Sequence, residues 1–398
     1  NADGSYALPH STICAPSFKA LIIDSFVAGY MVMRYTPSAF KRRCHFDFAE
    51  NLDSPWSRFW PSEVSFSPKK PGAFFRAFRR PFGDSETVKK FTALLDEFKP
   101  DVLHLNNIHT QLSPVLAEIA HARGVKVVWT LHDYKLVCPA YTCYCKGEIC
   151  EECIGGSKKP CFAKSCVKNK LGSIIAQKEA DSWSCERLEK CIDKYICPSA
   201  FMKKKMEQGG FDSSKLIALH NFIDTAKLAG EPVSKEDCYC YVGRLSKEKG
   251  VRTLLKVAAE KSQTLYVLGT GPMEAELKAE FGSWSQIKFK GHCDWNTCKN
   301  VLQKSKFSVI SSEWFENNPL SVIESLSLGT PVLGANIGGI PELIEPGITG
   351  ELFESGNSRD LSQKIDEMFS NTYSYDAQAL CSLYSKECYL KQILEIYG

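Results

Sequence analysis

The stretch from residue 311 to the leucine at 343 constrains the fold most, because helix and strand signals follow each other in it without a gap. It reads SSEWFENNPLSVIESLSLGTPVLGANIGGIPEL and comes directly after an apolar strand at residues 307–310. Asn318 is a residue type that caps helices, and Pro319 suits the first helical position because it has no N–H to leave unpaired there. Gly329 then ends the helix, and a short apolar strand follows. The stretch therefore predicts a strand–helix–strand unit of a parallel α/β sheet.

Two carboxylates lie beside this predicted helix start. Glu316 precedes the helix and Glu324 lies within it, with seven residues between them. The free N–H groups and the positive dipole end of a helix N-terminus attract an anion, and carboxylates accept hydrogen bonds from sugar hydroxyls. The combination suits a sugar that carries a diphosphate. The alternative is an ordinary strand–helix–strand unit whose two glutamates are solvated.

A second phosphate-binding signal precedes this stretch in the chain. An apolar strand at residues 239–242 runs directly into the sequence GRLSKEKG, which begins at Gly243. A glycine turn after a strand lets the backbone approach a ligand, while Arg244 supplies a planar fork and Lys249 a point charge for phosphate oxygens. The alternative is a solvated basic turn before a helix.

These motifs resemble one known family. The glutamate pair, the Gly-Thr-Pro-Val and Gly-Gly-Ile-Pro-Glu-Leu runs after it, and the Arg and Lys spacing are similar to the donor site of glycosyltransferase family 4, the retaining enzymes of the GT-B fold. The resemblance implies two Rossmann-like, doubly wound α/β domains that face a cleft. They would comprise residues 1–223 on the acceptor side and 224–375 on the donor side, with residues 376–398 as a helix that crosses back to the first domain.

The resemblance also implies roles for single residues. Arg244 and Lys249 would stabilise the negative charge of the departing diphosphate, Glu316 would hold hydroxyls of the donor sugar, and Glu324 those of the ribose. Further donor-site contacts would come from Gly243 and from the backbone N–H groups of Asn318 and Leu320. His132 would position the sugar, because it stands at the carboxyl end of an apolar strand at residues 126–131, where doubly wound sheets bind ligands.

The activity that follows from the resemblance is retaining transfer of a hexosyl group from a nucleoside diphosphate sugar to a hydroxyl of a glycan or lipid-linked acceptor. Such enzymes commonly need no catalytic metal, and bacterial surface polysaccharide or lipopolysaccharide synthesis is the implied setting. The segment between residues 24 and 46 departs from the family. It has one glycine where the family has a glycine-rich loop, and it is short for a loop, a helix and a strand. A degenerate nucleotide-sugar-binding protein is therefore the alternative.

A cysteine-rich insertion at residues 138–166 is the other specific feature. Its Cys-x-x-Cys pair and flanking thiols match a closed structural zinc site. The ligands we predict are Cys138, Cys150, Cys153 and Cys166, with Cys161 as a substitute. An iron–sulfur cluster or unligated thiols are the alternatives. A zinc-dependent nucleic-acid-binding module is a further function to consider, but the formal net charge of +3 gives little attraction to nucleic acid. A nicotinamide-dependent enzyme is disfavoured because the glycine fingerprint after residue 269 is incomplete.

Length and composition bound the remaining possibilities. The chain of 398 residues is too long for one ordinary core, and no apolar run is long enough to span a bilayer. The first residues lack the pattern of a signal peptide, so we expect a cytoplasmic protein with mostly reduced cysteines. Four phenylalanines with basic neighbours predict a helix that contacts the inner face of the membrane or, alternatively, packs on the core. They are Phe74, Phe75, Phe78 and Phe82, beside Lys69, Lys70, Arg76, Arg79 and Arg80.

Overall fold

The computed structural model describes residues 18–24, 29–35, 57–62, 71–109, 112–167, 169–229 and 233–398. The chain divides into two compact units, residues 1–129 and residues 130–398. The predicted domain boundary at residue 223 falls inside the second unit and stays a prediction. The N-terminal arm, the loop at residues 25–28, the segment at 36–46 and the predicted basic residues Lys69 and Lys70 lie outside the described residues.

The first unit is a parallel sheet with one antiparallel strand. Its strands are β1 (Phe18–Asp24), β2 (Gly29–Tyr35), β3 (Val102–Leu105) and β4 (Lys126–Thr130), and its helices are α1 (Pro71–Arg79), α2 (Ser85–Phe98) and α3 (Val115–His121). β1 pairs in parallel with β3, and β3 with β4, whereas β2 pairs antiparallel with β1. Asp84 caps α2 by accepting from the N–H groups of Glu86 and Thr87, and Phe91 and Leu94 of that helix are buried.

The second strand explains why the chain start departs from the family pattern. A parallel crossover needs a dozen or more residues, yet only four separate β1 from β2. The two strands instead form an antiparallel pair in which Ala20 faces Met33 and Ile22 faces Met31. The short segment noted in the sequence therefore accommodates a hairpin where a doubly wound domain has its first helix.

The second unit begins with the cysteine-rich insertion and a short parallel strand pair. Its elements up to residue 227 are β5 (Tyr144–Cys145), β6 (Glu148–Ile149), α4 (Lys159–Ala163), α5 (Lys170–Ser182), α6 (Cys185–Leu188), β7 (Lys194–Cys197), α7 (Ala200–Gln208), β8 (Leu216–Ala218) and a 3-10 turn at Thr225–Lys227. β5 and β6 form an antiparallel hairpin within the insertion, and β7 pairs in parallel with β8. Ser199 caps α7 by accepting a hydrogen bond from the N–H of Met202.

A six-stranded parallel sheet follows. Its strands are β9 (Glu236–Val242), β10 (Thr264–Leu268), β11 (Ile287–Gly291), β12 (Ser305–Ile310), β13 (Val332–Ala335) and β14 (Gly350–Phe353). The helices are α8 (Val251–Ala259), α9 (Glu274–Phe281), α10 (Trp295–Lys304), α11 (Leu320–Ser327), α12 (Ser358–Ser370), α13 (Ala377–Leu383) and α14 (Lys386–Tyr397), with 3-10 turns at Lys247–Lys249 and Ile340–Glu342. The strand order is β11-β10-β9-β12-β13-β14, and neighbouring strands are parallel.

This order is that of a dinucleotide-binding Rossmann sheet, whose crevice opens where the strand order reverses. Here the reversal lies between β9 and β12, so the two loops that begin at Gly243 and Ser311 meet at one place. Both strands pack into one continuous apolar core, which includes Tyr239, Phe307 and Val309. The predicted parallel sheet is confirmed, whereas phosphate binding at this edge stays a prediction.

The C-terminal segment contacts the residues that precede the second sheet. Ile223 donates its N–H to Tyr384 O at 2.9 Å, and the Phe222 and Tyr389 rings are 4.9 Å apart. The C-terminal helices therefore contact residues 222 and 223, while the predicted return of residues 376–398 to the first domain stays a prediction. One local prediction is wrong: Pro319, not Asn318, is the N-cap residue of α11, and no side chain caps that helix.

Candidate functional site

Two loops at the reversal of strand order build the candidate site. The loop after β9 spans Gly243–Gly250, and the loop after β12 spans Ser311–Pro319. They are joined by hydrogen bonds between backbone atoms and side chains: Glu313 N donates to Glu248 O at 2.8 Å, and Ser311 Oγ donates to Lys249 O at 2.9 Å. The two predicted motifs therefore form one structural unit.

Lys249 and Glu316 form an ion pair at the centre of this unit. Lys249 Nζ lies 2.6 Å from Glu316 Oε1, and Ser312 Oγ donates to the same oxygen at 2.6 Å. Glu316 is only 8% exposed, and Lys249 Nζ also lies 5.1 Å from the centre of the Trp314 ring. Within the described part of the chain, no donor engages the other carboxylate oxygen, Oε2. The pair thus presents a cation and a carboxylate oxygen side by side.

The glycine pair after β13 lets a third segment pack against Glu316. Gly338 has a φ of +61°, and a Cβ there would lie 2.4 Å from Glu316 O. A Cβ on Gly339 would lie 2.0 Å from Asn317 O, and Gly339 N donates to Glu316 O at 2.8 Å. Only glycine combines this backbone conformation with this approach. The Gly-Gly motif therefore holds the backbone that carries the central carboxylate.

Arg244 is exposed at the start of the first loop. Its backbone is fixed, because Tyr241 Oη donates to Arg244 O at 2.9 Å, Gly243 N donates to Leu268 O and Leu245 N donates to Thr270 O. Its guanidinium makes no ion pair with any residue that the structure describes. A flexible arginine on a rigid turn is well suited to reach an anionic ligand.

Glu324 lies in α11 in a partly buried position. Burial raises the pKa of its carboxyl group from the ordinary value to about 6, and the charge of Lys227 opposes this shift. Burial disfavours the ionised form because the carboxylate loses contact with water. Carboxyl groups with a raised pKa are frequent in binding sites.

The structure gives Asn318 a different contact from the predicted helix cap. Its Oδ1 accepts from Asn221 N at 2.9 Å, and its Nδ2 lies 3.0 Å from His220 Nδ1. The side chain therefore fixes the end of the loop, while the backbone N–H of Leu320 begins α11. The first N–H groups of a helix have no partner within the helix, so this end offers donors for an anion.

His132 lies in the turn after β4 and its side chain is exposed. The residue before it accepts a hydrogen bond from the site: Asn317 Nδ2 donates to Leu131 O at 3.0 Å. Asn317 Oδ1 in turn accepts from Ser199 Oγ at 3.0 Å. The structure thus brings the segments of His132 and Glu316 together through Asn317, the residue that follows Glu316.

Sequence reasoning missed several residues that hold these segments in place. Glu342 accepts from the N–H groups of Ala200 and Phe201 at 2.7 and 2.6 Å, so it caps α7 together with Ser199. Its place in the Gly-Gly-Ile-Pro-Glu run signalled importance but not this contact. Asn317 gave no signal, because its partners are distant in sequence.

The predicted zinc site is not supported. The described residues include no group of three or more His, Cys, Asp or Glu side chains placed to hold a metal ion. The thiols instead contact one another or nearby backbone and lysine atoms. Cys138 hydrogen-bonds Cys143, Cys153 Sγ lies 4.0 Å from Lys158 O, Cys161 Sγ lies 3.9 Å from Ser173 O, Cys150 Sγ lies 3.8 Å from Lys164 Nζ, and Cys166 hydrogen-bonds Cys145. The thiol of Cys143 lowers the pKa of Cys138 to about 6.

The predicted membrane-contacting helix is present as α1 and the turn after it. Phe75 is 69% exposed and Phe82 is 41% exposed, whereas Phe78 is half-buried. Arg80 is buried instead of exposed, because its Nε pairs with Asp84 Oδ2 at 2.5 Å, which corrects its predicted place on a basic face. The side chains of Phe74 and Arg76 lie outside the description. In the described residues, no helix is both long and apolar enough to cross a bilayer.

Two family models match the chain. The model for glycosyltransferase family 4 matches residues 55–227, and the model for group 1 glycosyl transferases matches residues 224–382. The first match ends and the second begins close to the start of the second sheet.

Individual proteins show the same similarity. The O-antigen biosynthesis glycosyltransferase WbnH of Escherichia coli is 28% identical over 74% of this chain and 77% of its own length. An uncharacterised 42.6 kDa protein in the cps region of Klebsiella pneumoniae is 25% identical over 64% of this chain, and the match spans 62% of that protein, less than two thirds. The structure of Anabaena HepE in complex with UDP-glucose superimposes with a TM-score of 0.56 at 19% identity, covering 78% of this chain and 81% of HepE.

Proposed function

The chain belongs to the glycosyltransferases of family 4 and has the GT-B fold, and from that premise we propose that it moves a hexosyl group from a nucleoside diphosphate sugar to a hydroxyl acceptor with retention of configuration. One observation carries the proposal. The Lys249–Glu316 pair and the exposed Arg244 stand together at the strand reversal of a Rossmann sheet.

The diphosphate would bind to the loop after β9. Arg244 forms a bidentate contact and Lys249 a point-charge contact with its oxygens, while the N–H groups at Leu320 and the backbone at Gly243 approach from either side. When the bond to the sugar breaks, negative charge grows on the departing diphosphate. Fixed cations stabilise this charge without reorganising, which is usually the largest contribution to catalysis.

The sugar and ribose would be held by carboxylates. Glu316 accepts hydrogen bonds from sugar hydroxyls through Oε2, because Lys249 and Ser312 already occupy its Oε1. Glu324 accepts from the ribose hydroxyls in its ionised form. His132 contacts the sugar from the turn after β4, which Asn317 holds through Leu131.

We propose a UDP-hexose as the donor, since HepE, a structural neighbour, was solved with UDP-glucose. The proposed setting is bacterial surface polysaccharide or lipopolysaccharide synthesis, because WbnH acts in O-antigen biosynthesis and the Klebsiella relative is encoded in a cps region. The acceptor would be a hydroxyl of a glycan or lipid-linked molecule, bound by residues 1–223. The donor would be bound by residues 224–375, and residues 376–398 would form the helix that returns to the first domain.

The exposed Phe75 and Phe82 support a cytoplasmic protein that contacts the inner face of the membrane. Apolar side chains that insert at the lipid interface beside basic residues give such peripheral binding. Arg79 is exposed on α1 and supplies one such charge. This contact would bring the enzyme to a lipid-linked acceptor.

A transfer assay tests the proposal. The purified full chain is incubated with UDP-glucose, UDP-galactose, GDP-mannose or ADP-glucose and a polyprenyl-diphosphate-linked sugar, and the lipid fraction is analysed by mass spectrometry. We expect a mass increase of one hexose residue with one donor, and proton NMR of the product should show the anomeric configuration of that donor. Inversion would contradict the retaining mechanism. Nucleotide binding without transfer to any acceptor would instead favour a catalytically degenerate sugar-nucleotide-binding protein, for which the hairpin β1–β2 is the motivation.

A further inference from the structure

Lys205 has a place in the molecule that the proposed chemistry does not use. It lies on α7 and is only 8% exposed, so both its aliphatic stem and its charged end are enclosed. Its Nζ pairs with a carboxylate oxygen of Glu151, which belongs to the cysteine-rich insertion at residues 138–166. A buried lysine is costly unless its charge is compensated, so this contact calls for an explanation.

The same ammonium group lies over two aromatic rings. Lys205 Nζ is 5.1 Å from the centre of the Phe201 ring and 5.1 Å from the centre of the Phe315 ring. The centres of the two rings are 4.8 Å apart and their planes meet at 60°. The centre of the Tyr134 ring lies 6.4 Å from that of Phe315. A cation over an aromatic face is attracted most strongly where water is excluded.

Phe315 connects this group to the candidate site, because it precedes Glu316 in the chain. Trp314, on its other side, lies under Lys249. Phe315 therefore lies between Glu316, a member of the ion pair, and Trp314, whose ring contacts the other member, Lys249.

The insertion contacts the other loop of the site as well. The turn between β5 and β6 carries Gly147, and a Cβ on this residue would lie 2.3 Å from Lys247 Nζ. Lys247 belongs to the loop that carries Arg244 and Lys249. The charges of Glu313 and Glu248, one from each loop, also reach Tyr144 of β5, where they add to the effect of burial in raising the pKa of its hydroxyl group.

We propose that the cysteine-rich insertion braces the donor site, and that Lys205, held by Glu151, is the positioning residue through which the insertion fixes Phe315 and hence Glu316. Lys205 does not touch the donor in this account. The inference rests on the proposed role of Glu316 in binding the donor sugar, but the brace itself is a property of the protein without ligand.

A ligand-free measurement tests the brace. Hydrogen exchange of the backbone amides at residues 311–318 is followed by mass spectrometry in wild type, Lys205→Met, Glu151→Gln and Lys205→Arg. Methionine keeps the apolar stem and removes the charge, so we expect exchange in this segment to rise by about fivefold, as for the loss of one coupled contact. Glu151→Gln should give a smaller rise in the same segment. Arginine retains both the ion pair and the stacking, and should restore wild-type protection.

The insertion offers a matched control. Lys164 pairs at 2.5 Å with Glu152, which is next in sequence to Glu151. Glu152 is exposed and Lys164 is only half-buried, unlike Lys205. Lys164→Met should leave exchange at residues 311–318 unchanged. Thermal unfolding of each variant shows whether it is folded. If Lys205→Met does not fold, Glu151→Gln still tests the brace, because the side chain of Glu151 is partly exposed and its replacement should not prevent folding.

A binding measurement separates a positioning role from a general loss of structure. UDP lacks the sugar that Glu316 is proposed to hold, whereas UDP-glucose carries it. In Lys205→Met we expect the Kd of UDP to stay within about twofold and the Kd of UDP-glucose to rise by about fivefold. Equal weakening of both ligands would overturn the positioning role.

The two proposals can fail separately. If wild type binds neither UDP nor UDP-glucose, the proposed donor is wrong, while the exchange measurement still decides whether the brace exists. If Lys205→Met is folded and exchange at residues 311–318 is unchanged, or if Lys164→Met has the same effect as Lys205→Met, the brace is refuted.

Discussion

The sheet of β9 to β14 and the sheet of β1 to β4 are both α/β sheets, but they differ in strand direction and strand order. The former is parallel throughout and has the full Rossmann strand order, with both loops at the reversal hydrogen-bonded to each other. The latter begins with an antiparallel hairpin. The fixed backbone therefore belongs to the proposed donor side, whereas the chain start has a different topology.

Substitution of Gly338 should have the largest effect on the stability of the second sheet's loops. Alanine there would place a Cβ 2.4 Å from Glu316 O in a residue with a φ of +61°. We expect Gly338→Ala to lower the free energy of unfolding by about 3 kcal/mol, measured by urea denaturation, because strain and overpacking add. Gly347 also has a positive φ, of +79°, but a Cβ there meets nothing within 4 Å. Gly347→Ala should therefore cost only about 1 kcal/mol. Equal costs would show that the close approach is unimportant.

The next largest effect is expected on catalysis at Glu316. Glu316→Gln keeps the shape but removes the charge that pairs with Lys249, so we expect kcat/KM to fall by about 10²- to 10³-fold. Glu313 lies in the same loop, where its carboxylate accepts from Thr253 Oγ1 at 2.6 Å. Glu313→Gln should stay within about threefold of wild type, since the amide oxygen of glutamine still accepts the hydrogen bond from Thr253. A similar loss in both variants would mean that the loop, not the ion pair, matters.

A pH titration sharpens the role of Glu324, whose pKa burial raises to about 6. Donor binding needs the ionised carboxylate, so the affinity measured by calorimetry should fall as the pH drops through 6, and Glu324→Gln should remove this dependence. The effect of this group on stability has the opposite sign. The folded state binds the proton more readily than the unfolded state, so the free energy of unfolding rises as the pH falls from 6 towards the ordinary carboxyl value. Binding that is independent of pH in wild type would contradict the ribose contact.

How far the sequence predicts each region follows from where the contacts lie in the chain. The glutamate pair, Gly338 and the GRLSKEKG loop are read from short runs, because a strand end, a turn and a helix start are local features. Asn317 could not be identified in this way, since its partners Leu131 and Ser199 are more than a hundred residues distant.

In the cysteine-rich insertion, by contrast, a local pattern predicts a site that the structure does not support. Spacing alone predicted a metal site at Cys138 and its neighbours, but spacing does not tell which way each thiol points. The structure places several of these thiols in contact with one another, and the insertion reaches the loops of the candidate site through Gly147, beside Lys247, and through Glu151, which pairs with Lys205. Likewise the sequence places Arg80 on an exposed basic face, whereas the structure buries it against Asp84, one turn further along the chain.

The smallest expected effect concerns the first unit. Phe75→Ser and Phe82→Ser should each weaken sedimentation with phosphatidylglycerol vesicles by about five- to tenfold, since each removes one exposed aromatic ring from the lipid interface. Leu171→Ser removes an apolar side chain of similar exposure from α5 and should leave vesicle binding unchanged. UDP affinity should be the same in all three variants. Loss of UDP binding in Phe75→Ser would mean that the two regions are not independent.

Calorimetry of UDP, GDP and ADP shows whether the loops after β9 and β12 form the proposed nucleoside diphosphate site. Arg252 provides the control, because its guanidinium is already engaged by Glu276 and Glu280. We expect one nucleotide to bind wild type and Arg252→Ala alike, and Arg244→Ala to weaken it by about 1.5–3 kcal/mol, as for a lost charged hydrogen bond. Absence of binding by all three nucleotides, or equal affinity in Arg244→Ala and wild type, would contradict the claim.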